Sequence, residues 1–465
     1  MHTAKQNPLR EIPSVDSLVQ RAAGEPWAAG LPRTILVGCV REAVEQARRR
    51  LLVDAGAQPH EVESAVLHDV RERLREAAGP HYRRAINATG IVLHTGLGRA
   101  VLPAAAVRQI AGELAGYSVL QVDTETGERS RRDARIEWLL RQLTGAEAAT
   151  VVNNNAAATS IVLNTLARDR EVIVSRGQLV EIGGSFRLPD VMAASGVRLV
   201  EVGTTNKTHA RDYEKAITPN TAAILRVHPS NYRIVGFAAE VPLDELVRIA
   251  HAHGLPLIDD VGAGALFDVS RFGFEPEPSL PDSIRAGADI VIASADKLVG
   301  ASQGGLVLGR AGLVEAIRKN PFARIVRVGK LTLAALEATL MLFLDEQRAF
   351  QEIPTLRMLL RNPLDIAEQA ERMARAIAAR TGNAVVETID GFSQAGSGSL
   401  PAQNLPTRLV AVRPTAITAE TLARRLRRHG PPIFTRIRKD RVLIDPRTLL
   451  DGEESTVIAA VAEML

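Results

Sequence analysis

The chain has 465 residues, of which 46% are hydrophobic and 24% charged, a composition ordinary for a globular protein of two or three domains. Cys39 is the only cysteine, which excludes an intramolecular disulfide and a cysteine-rich metal site. Because no apolar run approaches the ~18 residues that span a bilayer and the first ten residues are polar, we expect a cytoplasmic protein without membrane contact. A net charge of +4 permits a polyanionic partner without requiring one.

Residues 1–80 are predicted to form an N-terminal helical domain. Residues 40–50 and 61–77 are rich in Ala, Glu and Arg, and Gly79-Pro80 ends the second segment. The run Arg48-Arg49-Arg50 is cationic, but the domain as a whole is close to neutral. Charge alone therefore leaves open whether this domain contacts phosphates or is a plain dimerisation bundle.

From residue 148 onward, short β-branched runs alternate with stretches that can each hold one helix. The predicted strands are 149–152, 171–174, 198–202, 222–227, 255–259, 289–294 and 305–308. This alternation indicates an α/β domain with a mostly parallel sheet, in which sites gather at the carboxyl ends of the strands. We assign residues 81–350 to this domain, ending in a long helix over 331–351, and residues 351–465 to a smaller α+β domain.

Two ionisable side chains follow predicted strands. Lys297 comes just after strand 289–294, in a glycine-punctuated turn that can point its amine into a cleft, where desolvation makes an amine nucleophilic. Asp260 follows strand 255–259, and a carboxylate there can hold the nitrogen of a pyridine ring protonated. Taken singly, Lys297 is compatible with a solvated loop and Asp260 with a helix cap.

A third feature is the junction between strand 149–152 and an Ala-rich helix. Asn153, Asn154, Asn155 and Ala156 lie where the unpaired amides of a helix N-terminus bind phosphate, although Asn also caps helices for structural reasons. Together with Lys297 and Asp260, this order and spacing predicts a pyridoxal 5′-phosphate enzyme of the aminotransferase-like fold, with the cofactor bound as a Schiff base to Lys297.

Further polar residues are candidates for the same site. Arg99 lies in the glycine-rich loop 94–99, and Arg324 and Arg327 lie three apart, so each can recognise phosphate, with surface salt bridges as the alternative. After strand 222–227, Asn231 can reach the phenolic oxygen of the cofactor. His228 can stack on the ring or transfer protons, or have a structural role.

Several segments resemble one known family, the bacterial selenocysteine synthases, or L-seryl-tRNA(Sec) selenium transferases. The matching segments are 86–95, 151–158, 174–177, 181–184, 201–206, 296–298, 330–337 and 396–401. The resemblance implies a fold-type I pyridoxal-phosphate enzyme, assembled as a homodecamer from five dimers. It also implies seryl-tRNA(Sec) and selenophosphate as substrates.

The resemblance also implies roles for individual residues. Lys297 would bind the cofactor and then act as the base, while Asp260 would pair with the ring nitrogen. Arg99, Arg324 and Arg327 would hold the anionic selenium donor, and the N-terminal domain would recognise the tRNA. Two alternatives remain: a small-molecule lyase on the same scaffold, which needs no N-terminal helical domain, and a catalytically silent tRNA-binding protein, whose signature would be a substitution at Lys297.

Overall fold

The computed structural model describes residues 12–53, 59–184, 186–396, 398–401 and 403–465. The first ten residues, and Ser397 in the segment 396–401, lie outside the described residues. The chain divides into two compact units, Met1–Arg84 and Ala85–Leu465. The predicted domain boundaries at residues 80 and 350 stay predictions. None of the helices within the described ranges has both the length and the apolar character needed to cross a membrane.

The first unit is helical. Its helices are α1 (Val15–Ala23), α2 (Arg33–Val53) and α3 (Pro59–Ala78). Apolar residues at helical spacing, such as Val66, Val70 and Leu74 of α3, are buried in a common core. Across the outer edge of that core, Arg73 of α3 donates a hydrogen bond of 2.7 Å to Glu42 of α2.

The second unit contains the remaining described helices and strands. The helices are α4 (Ala104–Glu113), α5 (Ala134–Thr144), α6 (Asn155–Ala167), α7 (Leu188–Ala194), α8 (Ala210–Ala216), α9 (Leu243–Ala252), α10 (Leu280–Arg285), α11 (Ala311–Lys319), α12 (Phe322–Ile325), α13 (Lys330–Leu342), α14 (Glu346–Glu352), α15 (Pro354–Leu359), α16 (Pro363–Ala378), α17 (Ala419–Arg428) and α18 (Glu453–Met464). The strands are β1 (Ile86–Asn87), β2 (Ala148–Val152), β3 (Glu171–Ser175), β4 (Glu181–Ile182), β5 (Phe186–Arg187), β6 (Arg198–Val202), β7 (Thr221–Val227), β8 (Leu257–Gly262), β9 (Ile290–Ser294), β10 (Gly305–Gly309), β11 (Ala384–Gln394), β12 (Asn404–Pro414), β13 (Ile433–Phe434), β14 (Arg436–Arg438) and β15 (Arg441–Ile444).

A mostly parallel sheet lies at the centre of this unit, as predicted. Its strand order is β2-β10-β9-β8-β7-β3-β6, and β10 alone among these strands runs antiparallel to its neighbours. All seven predicted runs are strands of this sheet. Its two faces pack into separate apolar layers, with Leu257 and Val261 of β8 on one side and Ile258 on the other. Asp260 therefore lies on the same face of β8 as Ile258, which is the face that α6 covers.

The C-terminal part contains a smaller antiparallel sheet, in the order β11-β12-β15-β14, covered by α16, α17 and α18. Two elements differ from expectation. Strands β11 and β12 form a long hairpin, whereas the sequence from about residue 355 onward predicts helix–strand–helix–strand, with only one strand between the two helices. The predicted helix over 331–351 is interrupted, because the Asp345 side chain accepts hydrogen bonds from the amides of Gln347 and Arg348 and so begins a new helix.

A buried carboxylate joins the start of the second unit to its end. Asp445 is fully buried and accepts hydrogen bonds from Ser393 (2.8 Å) and Thr407 (2.9 Å). It lies 3.3 Å from the Arg436 guanidinium, and its charge also acts on Arg447, which is 2% exposed and whose pKa burial lowers to about 10. Gly90 approaches Asp445 so closely, at a φ of +74°, that a Cβ would lie 1.9 Å from Oδ2. Only glycine fits there, and the segment that leads to Arg99 is thereby held against the small sheet.

Replacement of Asp445 by Asn should therefore destabilise the protein. The substitution leaves the buried Arg447 guanidinium without its counter-charge, so we expect the free energy of unfolding to fall by about 3–5 kcal/mol. Urea unfolding followed by circular dichroism measures this change. Asp390→Asn is the matched control, because the Asp390 side chain is 91% exposed in its pair with Arg408, and its change should stay below about 1 kcal/mol. Equal changes in the two variants would contradict the role given to Asp445.

Candidate active site

Lys297 lies immediately beyond the carboxyl end of β9, in a loop that backbone hydrogen bonds hold in place. The amide of Leu298 donates to the Ala263 carbonyl (3.1 Å), and the amide of Ala295 donates to the Gly304 carbonyl (2.9 Å). The Lys297 residue is 5% exposed. Burial, and secondarily the charge of Arg99, lowers the pKa of its amine. A larger fraction of the amine is therefore neutral, which is the nucleophilic form.

Asp260 faces the same space from β8. Its carboxylate accepts hydrogen bonds from Asn155 (2.9 Å) and, at the limit of bonding distance, from Thr159 (3.3 Å). Burial raises the pKa of this carboxyl group to about 6. The neighbouring Asp259 is committed elsewhere, because it is fully buried and accepts from Arg226 and Ser283 on the opposite face of the strand. Asp260 is thus the carboxylate available to a ligand, as the sequence predicted.

The predicted phosphate loop forms the N-terminus of α6. Asn154 caps this helix by accepting from the amide of Ala157 (2.9 Å), which leaves the amides of Asn155 and Ala156 without partners inside the helix. The side-chain oxygen Oδ1 of Asn155 is buried and has no hydrogen-bond partner among the described residues. Asn153 differs from the others, because it is exposed and its amide donates to the Val326 carbonyl (3.0 Å).

Arg99 brings a guanidinium group to Lys297. It lies in the turn after β1 at a φ of +60°, and it donates to Asp296 at 2.8 Å. Its Nε is buried and lacks a partner within the described part of the chain. The charges of Arg99 and Asp296 both act on the lysine, and they have opposite effects on its pKa.

These side chains line one cavity of about 220 Å³. The predicted residues that line it are Arg99, Asn154, Asn155, Ala156, His228, Asp260 and Lys297. The predicted residues that do not line it are Asn153, Asn231, Arg324 and Arg327. Within the described ranges, no group of three or more His, Cys, Asp or Glu side chains is placed to hold a metal ion.

His228 and Asn231 follow β7 but differ in position. His228 lines the cavity, and its Nε2 lies 2.7 Å from an oxygen of Glu277, so a carboxylate orients the ring. Asn231 donates to the Glu181 carbonyl (2.9 Å), while its Oδ1 is buried without a partner among the described residues. The structure therefore brings His228, rather than Asn231, to the cavity.

Arg324 and Arg327 form part of an exposed cationic group. Both are exposed, at and just after α12. Their positive charges act on a nearby arginine. The pKa of the Arg132 guanidinium is lowered, first by burial and then by the charges of Arg327, Arg129 and Arg324. Because Val326 between them accepts from the amide of Asn153, this segment is joined to the outer edge of the phosphate loop, but neither arginine lines the cavity.

Sequence reasoning missed three residues of the site. Asp296 directly precedes the lysine, and Thr159 lies one turn after Asn155 on the buried face of α6; a polar residue in an Ala-rich helix was the available signal. Gly398 lies against Lys297, since a Cβ there would be 2.6 Å from Nζ. The glycine-serine segment around Gly398 signalled a constraint, but its partner could not be read from the sequence.

The fold and this site define a pyridoxal-phosphate enzyme of fold-type I, and the cofactor is pyridoxal 5′-phosphate, as predicted. The solved structure of D-glucosaminate-6-phosphate ammonia-lyase has the same fold, with a TM-score of 0.57 and 22% identity, covering 84% of this chain and 97% of that chain. The chain belongs to the L-seryl-tRNA selenium transferase family, whose model matches residues 85–450. A second model, described as selenocysteine synthase N terminal, matches residues 9–48.

Two relatives illustrate the extent of the similarity. The L-seryl-tRNA(Sec) selenium transferase of Nitratidesulfovibrio vulgaris is 45% identical, over 98% of this chain and 99% of the relative. The protein of the same name from Solidesulfovibrio magneticus is 46% identical, over 98% of each chain. The similarity therefore includes both units of the chain.

The cavity fits the cofactor of this class. Lys297 offers a desolvated amine for an aldehyde, and the N-terminus of α6 offers free amides for a phosphate. A buried carboxylate whose pKa is raised gains stability from a cationic partner, which a protonated ring nitrogen supplies to Asp260. The unpaired Oδ1 of Asn155 and Nε of Arg99 leave further polar atoms for the ligand.

Cofactor binding should depend on the charge of Asp260. The carboxylate is ionised above a pH of about 6 and neutral below it, so the affinity of the apoenzyme for pyridoxal phosphate should fall as the pH is lowered through about 6. Asp260→Asn should bind the cofactor about 10- to 100-fold more weakly, which is the value of a charged hydrogen bond, and without this pH step. Fluorescence titration between pH 5 and pH 8 measures both effects. Asp268→Asn, at an exposed helix cap, should behave as the parent; a step that persists in Asp260→Asn would assign it to another group.

Gly398→Ala should disturb Lys297 without unfolding the protein. The added Cβ meets Nζ at 2.6 Å, at a φ of +82°, so the amine must move. A strain of about 1–3 kcal/mol corresponds to a loss of roughly 5- to 150-fold in cofactor affinity. The absorption band of the lysine-bound cofactor reports this loss. Gly382→Ala is the control, because a Cβ there has no neighbour within 4 Å among the described residues. Unchanged affinity in Gly398→Ala would show that this loop does not press on the amine.

Proposed function

We propose that this chain converts seryl-tRNA(Sec) to selenocysteinyl-tRNA(Sec), with selenophosphate as the selenium donor. The observation that carries the proposal is the desolvated amine of Lys297, enclosed with Asp260 and Arg99 in one cavity of a chain from this family. A silent tRNA-binding protein would have no need of such a buried amine. A small-molecule lyase would have no need of the N-terminal unit.

The residues of the cavity divide the chemistry between them. Pyridoxal phosphate, when bound, supplies an aldehyde and a ring that withdraws electrons from the substrate's α-carbon. Lys297 would hold the cofactor before the substrate arrives, and its neutral amine would then accept the α-proton. Asp260 would keep a proton on the ring nitrogen, while Asn154, Asn155 and Ala156 would bind the phosphate. His228, oriented by Glu277, would be available to contact the ring.

Selenium transfer replaces one bond at the serine β-carbon by another. The serine hydroxyl leaves with a proton as water, a carbon–selenium bond forms, and water takes up the phosphoryl group as the phosphorus–selenium bond breaks. Arg99 lies in the same cavity as Lys297, so its guanidinium is suited to hold the anionic donor next to the reacting carbon. Cys39, in α2, is the only thiol, which favours an external donor over a selenium carried on cysteine.

Arg324 and Arg327 are assigned to a site shared between subunits. They are exposed and do not line the cavity of their own chain, so they are free to hold either selenophosphate or the cofactor phosphate in a neighbouring copy. This assignment fits the proposed homodecamer of five dimers. We place the enzyme in the cytoplasm.

Residues 1–80 are assigned to tRNA recognition, and they are followed along the chain by a catalytic domain over 81–350 and a small domain over 351–465. Arg48 and Arg49 are exposed and lie 3.8 and 3.5 Å from the same carboxylate, Glu45, so their charges exceed that of their partner.

Asn153 and Asn231 are assigned to the edge of the cofactor site, next to the segments that hold the phosphate and the ring.

The absorption spectrum of the purified protein tests the proposal. We expect a band from the lysine-bound cofactor that disappears in Lys297→Ala, persists in the control Lys319→Ala on the exposed face of α11, and shifts on addition of seryl-tRNA(Sec) but not free serine. With selenophosphate, the charged tRNA should become selenocysteinyl-tRNA(Sec). A band that responds only to free amino acids would indicate a small-molecule lyase. The absence of any band after reconstitution would leave a binding protein.

A further inference from the structure

The strongest concentration of charge in the chain lies in its last fifth. Residues 419–441 contain eight Arg or Lys and two Asp or Glu, a net charge of +6, whereas the whole chain has a net charge of +4. The remaining residues therefore carry a net charge of −2. The basic character of this protein comes from one short run, outside both the cavity and the N-terminal unit.

The fold displays this charge on one side of the small sheet. Helix α17 buries Ala419, Leu422, Ala423 and Leu426 against that sheet, at helical spacing. Its opposite face presents Arg424, Arg427 and Arg428, all exposed. The helix packs against β14 and β15, whose tight turn exposes Arg438 and Lys439. We call these five cations the α17 basic surface.

The five cations have no ion-pair partner among the residues that the structure describes, whereas their neighbours do have structural contacts. Arg425 donates to the Met464 carbonyl at the end of α18 (2.7 Å). Arg436 lies 3.3 Å from Asp445, and Arg441 pairs with Glu387. The α17 basic surface is thus the part of the cationic run that the fold itself does not use.

Helix electrostatics account for only part of this pattern. Cations in the last turn of a helix are favoured by its dipole, which applies to Arg427 and Arg428. Arg424 and Arg428, however, are four residues apart and repel one another. Arg438 and Lys439 lie outside the helix altogether. Five unpaired like charges on one exposed surface repel one another and so destabilise the folded chain. A bound polyanion would remove this repulsion.

We propose that the α17 basic surface binds the sugar–phosphate backbone of the tRNA, an inference that rests on the proposed function. The cations are spread over a helix face and a turn rather than gathered in a cavity, which suits repeated phosphates better than a single one. The one aromatic residue of the run, Phe434, is partly buried, so the surface offers no stacking platform for bases. Contact with the backbone positions the tRNA without reading its sequence.

Neutralisation of the helix face tests the proposal. The full-length holoenzyme carrying Arg424→Gln, Arg427→Gln and Arg428→Gln is titrated with uncharged tRNA(Sec) at several salt concentrations. We expect binding to weaken by about 10- to 100-fold at low salt, and the slope of log K against log salt to become about 2–3 units shallower. The KM for seryl-tRNA(Sec) should rise while kcat stays unchanged. The triple Arg→Lys variant at the same positions should retain binding, because the charge is kept.

The matched control carries Arg372→Gln, Arg375→Gln and Arg380→Gln, the same change of charge at exposed positions of and just beyond α16. Its affinity and salt slope should equal those of the parent. If the α17 triple variant also equals the parent, or if both triple variants weaken binding equally, the inference is overturned while the proposed function stands. A changed subunit number in the α17 variant, with unchanged tRNA binding, would overturn it in favour of an interface between copies of this chain. A parent that binds no tRNA overturns the proposed function and this inference with it.

Discussion

The site depends on one costly arrangement, the removal of Lys297 and Asp260 from water at the carboxyl edge of a parallel sheet. Burial alone favours the neutral form of each group, lowering the pKa of the amine and raising that of the carboxyl group to about 6. These shifts are possible only if water stays out. The backbone hydrogen bonds that hold the loop after β9, and the close approach of Gly398, follow from this requirement.

The central sheet, and the residues of the site that bind the two ends of the cofactor, were predictable from local sequence. Parallel strands are buried on both faces, so they appear as short continuous β-branched runs, and all seven were found. Lys297, Asp260 and Asn154 lie where such runs end. Because every parallel strand delivers its carboxyl end to the same edge, residues more than a hundred positions apart could be expected at one cavity.

The rest of the structure depends on contacts that local sequence does not contain. Strands β11 and β12 pair with each other along their whole length, and this pairing cannot be read from the local sequence of either strand. Asp345 lies inside a stretch predicted as one helix, and only the observed interruption between α13 and α14 identifies it as a helix cap. Asp445 contacts three distant segments, those of Gly90, Ser393 and Thr407. The position of Arg324 and Arg327 outside the cavity of their own chain has no sequence signal.

The pairing of β1 with β13 has a consequence for the folding of the protein during its synthesis on the ribosome. Ile86 pairs with Ile433, so strand β1 can form its pairing only after β13 has been synthesised, 347 residues later. At roughly 5–20 residues per second, that delay is about 20 to 70 s. During this interval the apolar residues Ile86 and Ala88 lack the C-terminal residues that cover them in the folded protein, so a chaperone could bind them. The pairing of the strand that leads to Arg99 is therefore completed only after residue 433 has been made.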